Sequence, residues 1–214
     1  MPLILKLRKQ MHKNIAKAQD LIVKELYSVF NKAVLHGGTA IWRCYKGSRF
    51  SEDVDVYIPR DIKKIDAFFS RLEKAGFVIK KKKIKQNSFY STLLFNRTVV
   101  RFEAIFKQKQ GILKEYETAD GNLITVYTLS PEELIKEKTS AYLHRLKIRD
   151  LYDIFFLLRF VEYREKVSKE LSLLIKNFKS PVDEKDLKVL IIEGLVPESK
   201  KMMEYIKHSI KWEK

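Results

Sequence analysis

The chain has 214 residues, 45% of them hydrophobic and 12% aromatic, which is enough apolar material for one domain or two small lobes. This composition excludes a disordered chain, and no apolar run reaches the length of about 20 residues that a membrane-spanning helix needs. Lysine and arginine number 43 against 27 aspartates and glutamates, so the formal net charge is +16. The excess favours a polyanionic partner, nucleic acid before a membrane, whereas a solubilising or thermophilic composition would explain it without any partner.

Cysteine usage indicates a reducing compartment. Cys44 is the only cysteine, so an internal disulfide is excluded. The N-terminal stretch has neither the long apolar core nor the small-residue cleavage site of a signal peptide. We therefore expect a cytoplasmic protein that does not associate with a membrane.

Apolar periodicity predicts alternating helices and strands in the first third of the chain. Ile15, Ile22 and Leu26 recur at helical spacing with lysines between them, so residues 12–30 are expected to form an amphipathic helix. The pattern then predicts a strand at 31–35, a helix at 39–45, a strand at 52–58, a helix at 61–75 that ends before Gly76, and a strand at 77–79 that the lysine run 80–85 interrupts.

A hairpin is expected after the lysine run. Residues 88–95 and 98–106 are rich in β-branched and aromatic side chains, and only two residues separate them. In the second strand the apolar side chains alternate with Arg101 and Glu103, which share the opposite face.

From residue 130 onward the chain is predicted to be helical. Ser130 is typical of an N-cap, Pro131 of the first helical position, and Glu133 completes a capping box. Further helices are predicted at 149–160, 167–177, 184–193 and 198–212. We therefore expect an α+β lobe with a mixed sheet at residues 1–128 and a helical lobe at residues 129–214, with a triphosphate held in the cleft between them.

The clearest chemical signal is a glycine pair followed by an acidic pair. Gly37 and Gly38 end an apolar run and open a helix near Thr39, so backbone N–H groups and the positive end of the helix dipole can approach phosphate oxygens. Asp53 and Asp55 lie two residues apart on a strand and therefore project from one face. Carboxylates so paired supply hard oxygen ligands for Mg²⁺, and two such ions would activate an attacking hydroxyl and stabilise a leaving pyrophosphate. The alternative is the solvent face of an edge strand.

Glu103 is the candidate third metal ligand, because it lies on a later strand of the same predicted sheet. Its alternative is an ion pair with Arg101 or with Lys85. His36, directly before the glycines, would either contact a substrate or brace the turn by hydrogen bonding, and we do not place it in catalysis.

The lysine run is the candidate nucleic-acid contact. Its positive charge, together with Phe89 and Tyr90 within stacking reach, fits a phosphate backbone with unpaired bases. The alternative is a solvated strand end. The candidate contacts are Lys80, Lys81, Lys82 and Lys83.

The motifs together resemble the AbiEii/AbiGii-type family of nucleotidyltransferase toxins, which is built on the polymerase-β-like nucleotidyltransferase fold. The resemblance covers residues 34–158 and leaves the role of residues 160–214 open. It rests on the segment His36-Gly37-Gly38-Thr39-Ala40, on Arg49-x-Ser51-x-Asp53-x-Asp55, and in the helical lobe on Lys138, Arg145 and Arg149-Asp150-Leu151-Tyr152-Asp153.

The resemblance implies a role for the matching residues of both lobes. Lys138 and Arg145 share a helix face, and a solvated charged surface is their alternative. Asp150 has the alternative of a helix N-cap, and Asp153 is only a supporting residue. The predicted metal ligands are Asp53, Asp55 and Glu103; the predicted catalytic residues are these three with Lys138 and Asp150; the predicted nucleotide-binding residues are Gly37, Gly38, Thr39, Arg49, Ser51, Lys138 and Arg145.

The sequence therefore predicts a metal-dependent nucleotidyltransferase that moves a nucleotide from an NTP to an acceptor hydroxyl, with two Mg²⁺ ions or with Mn²⁺ in their place. We expect the acceptor to be tRNA or another RNA, and the resemblance implies the toxin of a type IV-like AbiE toxin–antitoxin system with a cognate antitoxin. The alternatives are transfer to a small molecule, AMP transfer onto a protein, and a non-catalytic nucleic-acid-binding module on the same fold.

Overall fold

The computed structural model describes residues 2–211 and divides the chain into two compact units, Met1–Thr128 and Leu129–Lys214. None of the helices within the described residues is long and apolar enough to cross a membrane. The predicted end of the last helix at Trp212 lies outside the described residues.

The first unit is a mixed sheet with helices. Its helices are α1 (Leu3–Lys6), α2 (Gln10–Tyr27), α3 (Gly37–Cys44) and α4 (Ile62–Lys74), and its strands are β1 (Val34–His36), β2 (Asp53–Ile58), β3 (Val78–Ile84), β4 (Ser88–Phe95), β5 (Thr98–Phe106), β6 (Ile112–Glu117) and β7 (Leu123–Thr128). The strand order is β3-β4-β5-β2-β1-β7-β6, with β2–β5 and β1–β7 parallel and the other neighbours antiparallel.

Helices α2 and α4 pack on one face of this sheet, where the apolar side chains of β4 and β5 point. Phe68 of α4 lies 5.0 Å from Phe102 of β5, and Phe69 lies 5.6 Å from Phe89 of β4, measured between ring centroids. Because side chains alternate along a strand, the polar residues of β2, β4 and β5 lie on the opposite face.

A buried polar cluster fixes α3 against α2 and the β6–β7 hairpin. The Arg43 guanidinium is fully buried and ion-pairs with the Asp20 carboxylate, which also accepts hydrogen bonds from the Tyr116 hydroxyl at 3.0 Å and the Ala119 N–H at 2.7 Å. A buried charge is tolerated when it is paired and hydrogen-bonded, and here the pairing sets the direction of the helix that follows the glycines.

The predicted hairpin is confirmed at both its strands. β4 and β5 have the expected bounds, and the two residues between them, Asn96 and Arg97, have positive φ angles of 45° and 62°. Two such residues form the tight turn whose twist matches the flanking strands. The helix at 61–75 is confirmed as α4, with Asp61 accepting a hydrogen bond from Lys64 N–H at 3.0 Å.

The predicted interruption of the strand by the lysine run is wrong. β3 continues through the lysines to Ile84 and pairs with β4 along its length. It is an edge strand, so the lysine side chains stay exposed and the run costs no buried charge. The register shifts between Ile79 and Lys81, which leaves Lys80 as the extra residue of a bulge.

The second unit is helical, as expected. Its helices are α5 (Pro131–Arg145), α6 (Ile148–Leu157), α7 (Glu165–Lys176), α8 (Leu187–Leu190) and α9 (Ser199–Lys211), with 3₁₀ turns at Leu158–Phe160 and Glu184–Asp186. The capping box at Ser130 and Glu133 is confirmed, with hydrogen bonds of 3.3 and 3.4 Å. Together, the mixed sheet and the helices that follow it confirm the α+β fold class.

A buried ion cluster joins α5 to α6. Lys138 Nζ lies 2.7 Å from Asp153 Oδ2 and 3.5 Å from Asp150 Oδ1. Arg145 donates to both oxygens of Asp150, from Nε at 2.7 Å and from Nη2 at 2.8 Å. Both aspartates are fully buried and Lys138 is nearly so. The two positive side chains therefore balance the two buried carboxylates, Lys138 from within the core and Arg145 from a partly exposed position.

Two interpretations of these residues are wrong. Lys138 does not lie on a solvated face, because its ammonium group is buried between two carboxylates. Asp150 is not an N-cap, since Lys147 caps α6 and Asp150 lies in its first turn. Asp153, which the sequence placed only in support, is a full member of the cluster.

We expect Lys138→Ala to lower the free energy of unfolding by about 3 kcal/mol, because removing one partner of a buried ion pair leaves an uncompensated charge. Urea denaturation followed by far-UV circular dichroism measures the loss. Lys136→Ala, on the exposed face of the same helix, is the control. Equal unfolding free energies for the two variants would contradict a structural role for the cluster.

Candidate active site

The glycine turn closes directly on the acidic strand. Gly37 has φ +70°, and a Cβ atom there would overlap the Asp55 carboxylate. A Cβ atom on Gly38 would lie 2.6 Å from both Arg49 Nη2 and Ser51 Oγ. Position 37 therefore favours glycine for its backbone conformation and its neighbour, and at Gly38 a Cβ atom would force Arg49 or Ser51 to shift.

These contacts bring the predicted nucleotide-binding residues of the first unit to one place. Arg49 and Ser51 are buried beside the turn, and Arg49 Nη1 donates to the Phe50 carbonyl at 3.0 Å. The N-terminal turn of α3 starts at Gly37, so its backbone N–H groups and the positive end of the helix dipole lie next to a carboxylate and a guanidinium.

The strand register places Glu103 beside the acidic pair. Asp55 lies opposite His36 on β1 and opposite Glu103 on β5, and Asp53 lies opposite Arg101. Adjacent strands are about 4.8 Å apart, so directly opposed residues are near neighbours on the same face. Three carboxylates, Asp53, Asp55 and Glu103, thus share one small area of the sheet.

Burial and the neighbouring negative charges both shift the pKa of Glu103. Partial burial raises the pKa of its carboxyl above the ordinary value, and the negative charges of Asp55 and then Asp53 raise it further. A bound cation would relieve this repulsion, which is the electrostatic condition of a metal site.

Arg101 holds the first of the two aspartates. Its Nε lies 2.6 Å from Asp53 Oδ1 and its Nη2 lies 3.0 Å from Asp53 Oδ2, a bidentate pair. Arg101, one of the partners that the sequence offered to Glu103, therefore pairs with Asp53.

The donor set fits a hard divalent cation in chemistry, because it consists of neighbouring carboxylate oxygens. Within residues 2–211, however, no three acidic, histidine or cysteine side chains converge as a finished metal site would require. The Arg101 guanidinium donates to both oxygens of Asp53. A cation held by all three carboxylates would require Arg101 to release Asp53.

Two polar residues of the core position the acidic strand. The Thr39 hydroxyl donates to the Asp53 carbonyl, and Gln19 Nε2 donates to the Ser51 carbonyl at 2.9 Å. The Thr39 side chain is therefore engaged inside the core, and what it offers a nucleotide is its backbone N–H. Gln19 was missed from the sequence, although a glutamine on the apolar stripe of α2 is a signal that could have identified it.

His36 stacks on Tyr57, with ring centroids 4.2 Å apart. This contact lies on the face that carries Asp55, because Tyr57 is two residues further along β2. The stacking holds the His36 ring against β2, whereas bracing of the turn by a hydrogen bond stays a prediction. The predicted site residues of the second unit, Lys138, Arg145 and Asp150, form the ion cluster described above.

Solved structures share this fold. JHP933 from Helicobacter pylori aligns with 19% identity and a TM-score of 0.64, over 95% of this chain and 92% of that one. MenT4, a nucleotidyltransferase toxin from Mycobacterium tuberculosis H37Rv, aligns with 18% identity and a TM-score of 0.66, over 97% and 86%. ANT(2″)-Ia in complex with adenylyl-2″-tobramycin aligns with 15% identity and a TM-score of 0.51, over 77% and 98%.

Sequence comparison identifies the family. No curated protein sequence matches the chain. A family model described as "Nucleotidyl transferase AbiEii toxin, Type IV TA system" matches residues 25–198, which is most of the chain and includes the glycine turn, the three carboxylates and the ion cluster. The chain therefore belongs to the AbiEii family of nucleotidyltransferase toxins of type IV toxin–antitoxin systems.

Proposed function

We propose that this toxin transfers a nucleoside monophosphate from an NTP to a hydroxyl group of an RNA, with tRNA among the candidate acceptors. The observation that supports this most strongly is the closure of Gly37 on Asp55 with Glu103 directly beside it. A helix N-terminus suited to phosphate and a group of carboxylates suited to metal then meet at one point, which is the arrangement that nucleotidyl transfer needs.

The residues of the first unit divide the work as follows. The N–H groups of Gly37, Gly38 and Thr39 bind phosphate oxygens of the NTP. Arg49, buried beside Gly38, adds a fixed positive charge to that binding.

The carboxylates act on both reactants. Asp53, Asp55 and Glu103 would hold Mg²⁺ or Mn²⁺, which supplies charge neutralisation on the triphosphate and on the attacking oxygen. One carboxylate, Asp55 or Glu103, accepts the proton of the attacking hydroxyl as the bond to the α-phosphate forms and pyrophosphate leaves.

The charge of the chain favours RNA over a small cationic acceptor. At a formal net charge of +16 the protein as a whole repels cations and attracts a polyanion. Nucleotide contact by Lys138 and Arg145, a catalytic role of Lys138 and Asp150, a cytoplasmic location and an antitoxin as partner stay predictions.

We expect incubation with each α-³²P-labelled NTP, Mg²⁺ and total cellular RNA to label RNA, and Asp55→Asn to reduce labelling at least about a hundredfold, because a carboxylate that compensates transition-state charge is lost. Glu73→Gln removes the same charge from an exposed position on α4 and is the control. Labelling of added protein instead of RNA would show that the acceptor is a protein. Full activity of Asp55→Asn would show that the proposed active site is wrong.

The Arg101–Asp53 pair gives a separate prediction about metal binding. We expect Arg101→Gln to bind Mn²⁺ several-fold more tightly than the unmodified protein, because the cation no longer competes with a guanidinium for Asp53. Isothermal titration calorimetry without nucleotide measures this directly. Lys63→Gln, on the exposed face of α4, is the charge-matched control. Identical affinities for all three proteins would show that Arg101 does not compete with metal.

A further inference from the structure

The sheet face that carries the carboxylates continues across β4 to the lysine strand. Glu103 lies opposite Tyr90 on β4, and Tyr90 lies opposite Lys83 on β3. Directly opposed residues share a face, so a single row runs from the acidic area to the edge of the sheet. With strands about 4.8 Å apart, Lys83 is about 10 Å from Glu103, a distance that a few nucleotides span.

A second row runs parallel to the first. Arg101 lies opposite Thr92, and Thr92 lies opposite Lys81. The Tyr90 hydroxyl and Thr92 Oγ1 are 3.1 Å apart, which links the rows, and Lys81 Nζ lies 5.5 Å from the centre of the Tyr90 ring. We call Lys81, Lys83, Tyr90 and Thr92 the basic rows.

Strand alternation separates the neighbouring lysine from this face. Lys82 lies opposite Ser91, which is buried with the core side chains of β4. Lys82 Nζ is 2.8 Å from Asp66 Oδ1 and 4.4 Å from the centre of the Phe69 ring, both on α4. The lysines of the run therefore lie on both faces of the sheet. Only the face with Lys81 and Lys83 also carries the carboxylates.

The same alternation separates the two aromatic residues of β4. Phe89 is 1% exposed and packs in the core against Phe69 and Phe102, so the expectation that it stacks on a base is wrong. Tyr90 is half-buried and lies on the face of the carboxylates. It offers a flat ring one strand away from Glu103.

We propose that the basic rows bind a single-stranded end of the RNA acceptor, with an unpaired base stacked on Tyr90 and backbone phosphates at Lys81 and Lys83. The order of the residues along the rows sets the direction of the RNA strand. Its phosphates lie at the basic edge, and its terminal hydroxyl, which carries no phosphate, reaches Asp55 and Glu103. Stacking needs an unpaired base, because paired bases do not expose their rings. The reaction at the end of this path rests on the proposed function, whereas the binding itself does not.

The test compares two double variants of equal charge. Lys81→Gln/Lys83→Gln removes two lysines from the basic rows, and Lys63→Gln/Lys82→Gln removes two from the side of α4. Fluorescence anisotropy with a labelled single-stranded RNA oligonucleotide, across a salt series and without NTP or metal, gives the affinity and its salt slope. We expect the first variant alone to lose about 1.4 units of slope, as two phosphate contacts predict. Equal slopes for both variants would overturn the proposal.

The stacking role of Tyr90 is tested by removing its aromatic ring or only its hydroxyl. We expect Tyr90→Ala to weaken RNA binding about tenfold and Tyr90→Phe to bind within about twofold of the unmodified protein, since base stacking needs only the aromatic face. Melting temperatures of both variants show whether the sheet is intact. Unchanged binding by a folded Tyr90→Ala protein, or an equal loss in Tyr90→Phe, would overturn the stacking role.

The failure of this proposal and the failure of the proposed function give different results. If RNA binding depends on the basic rows but labelled NTP modifies no RNA, the reaction assignment fails and the binding face stands. If RNA is labelled while its binding is indifferent to Lys81, Lys83 and Tyr90, the reaction stands and the acceptor path is wrong.

Discussion

The contact between Gly37 and the Asp55 carboxylate is the constraint on which the candidate site depends. The antiparallel pairing of β1 with β2 puts His36 opposite Asp55, and the absence of a side chain at Gly37 lets α3 begin against that carboxylate. The parallel pairing of β2 with β5 then adds Glu103 to the same area. One backbone position without a Cβ atom thus decides whether the phosphate-binding and metal-binding groups can meet.

The electrostatics of the site follow from that crowding. Partial burial, and then the negative charges of Asp55 and Asp53, raise the pKa of Glu103, and the Arg101 guanidinium offsets part of the repulsion by pairing with Asp53. One guanidinium offsets part of the charge of three carboxylates, and a bound cation would offset more of it. In the ion cluster of the helical unit, Lys138 and Arg145 likewise balance two aspartates, and there both carboxylates are fully buried.

Local patterns predicted much of the fold, because hairpins and caps are set by neighbouring residues. The two-residue turn at Asn96 and the capping box at Ser130 are of this kind. What the sequence did not give depends on partners far along the chain. The pairing of Arg101 with Asp53 spans 48 positions, and the burial of Lys138 depends on how α6 packs. A charged residue looks the same in sequence whether its partner is water or a buried carboxylate, so its environment could not be inferred.

The lysine run shows why register matters more than net charge. In sequence its members are equivalent, and at +16 the whole chain attracts polyanions. On β3 they alternate, so Lys82 pairs with Asp66 of α4 while Lys83 lies in line with Tyr90 and Glu103. Attraction by the net charge binds a polyanion without fixing where it lies, since every exposed lysine contributes to it. A row that ends at the carboxylates gives position as well, because it aligns the polyanion with the groups that would act on its end.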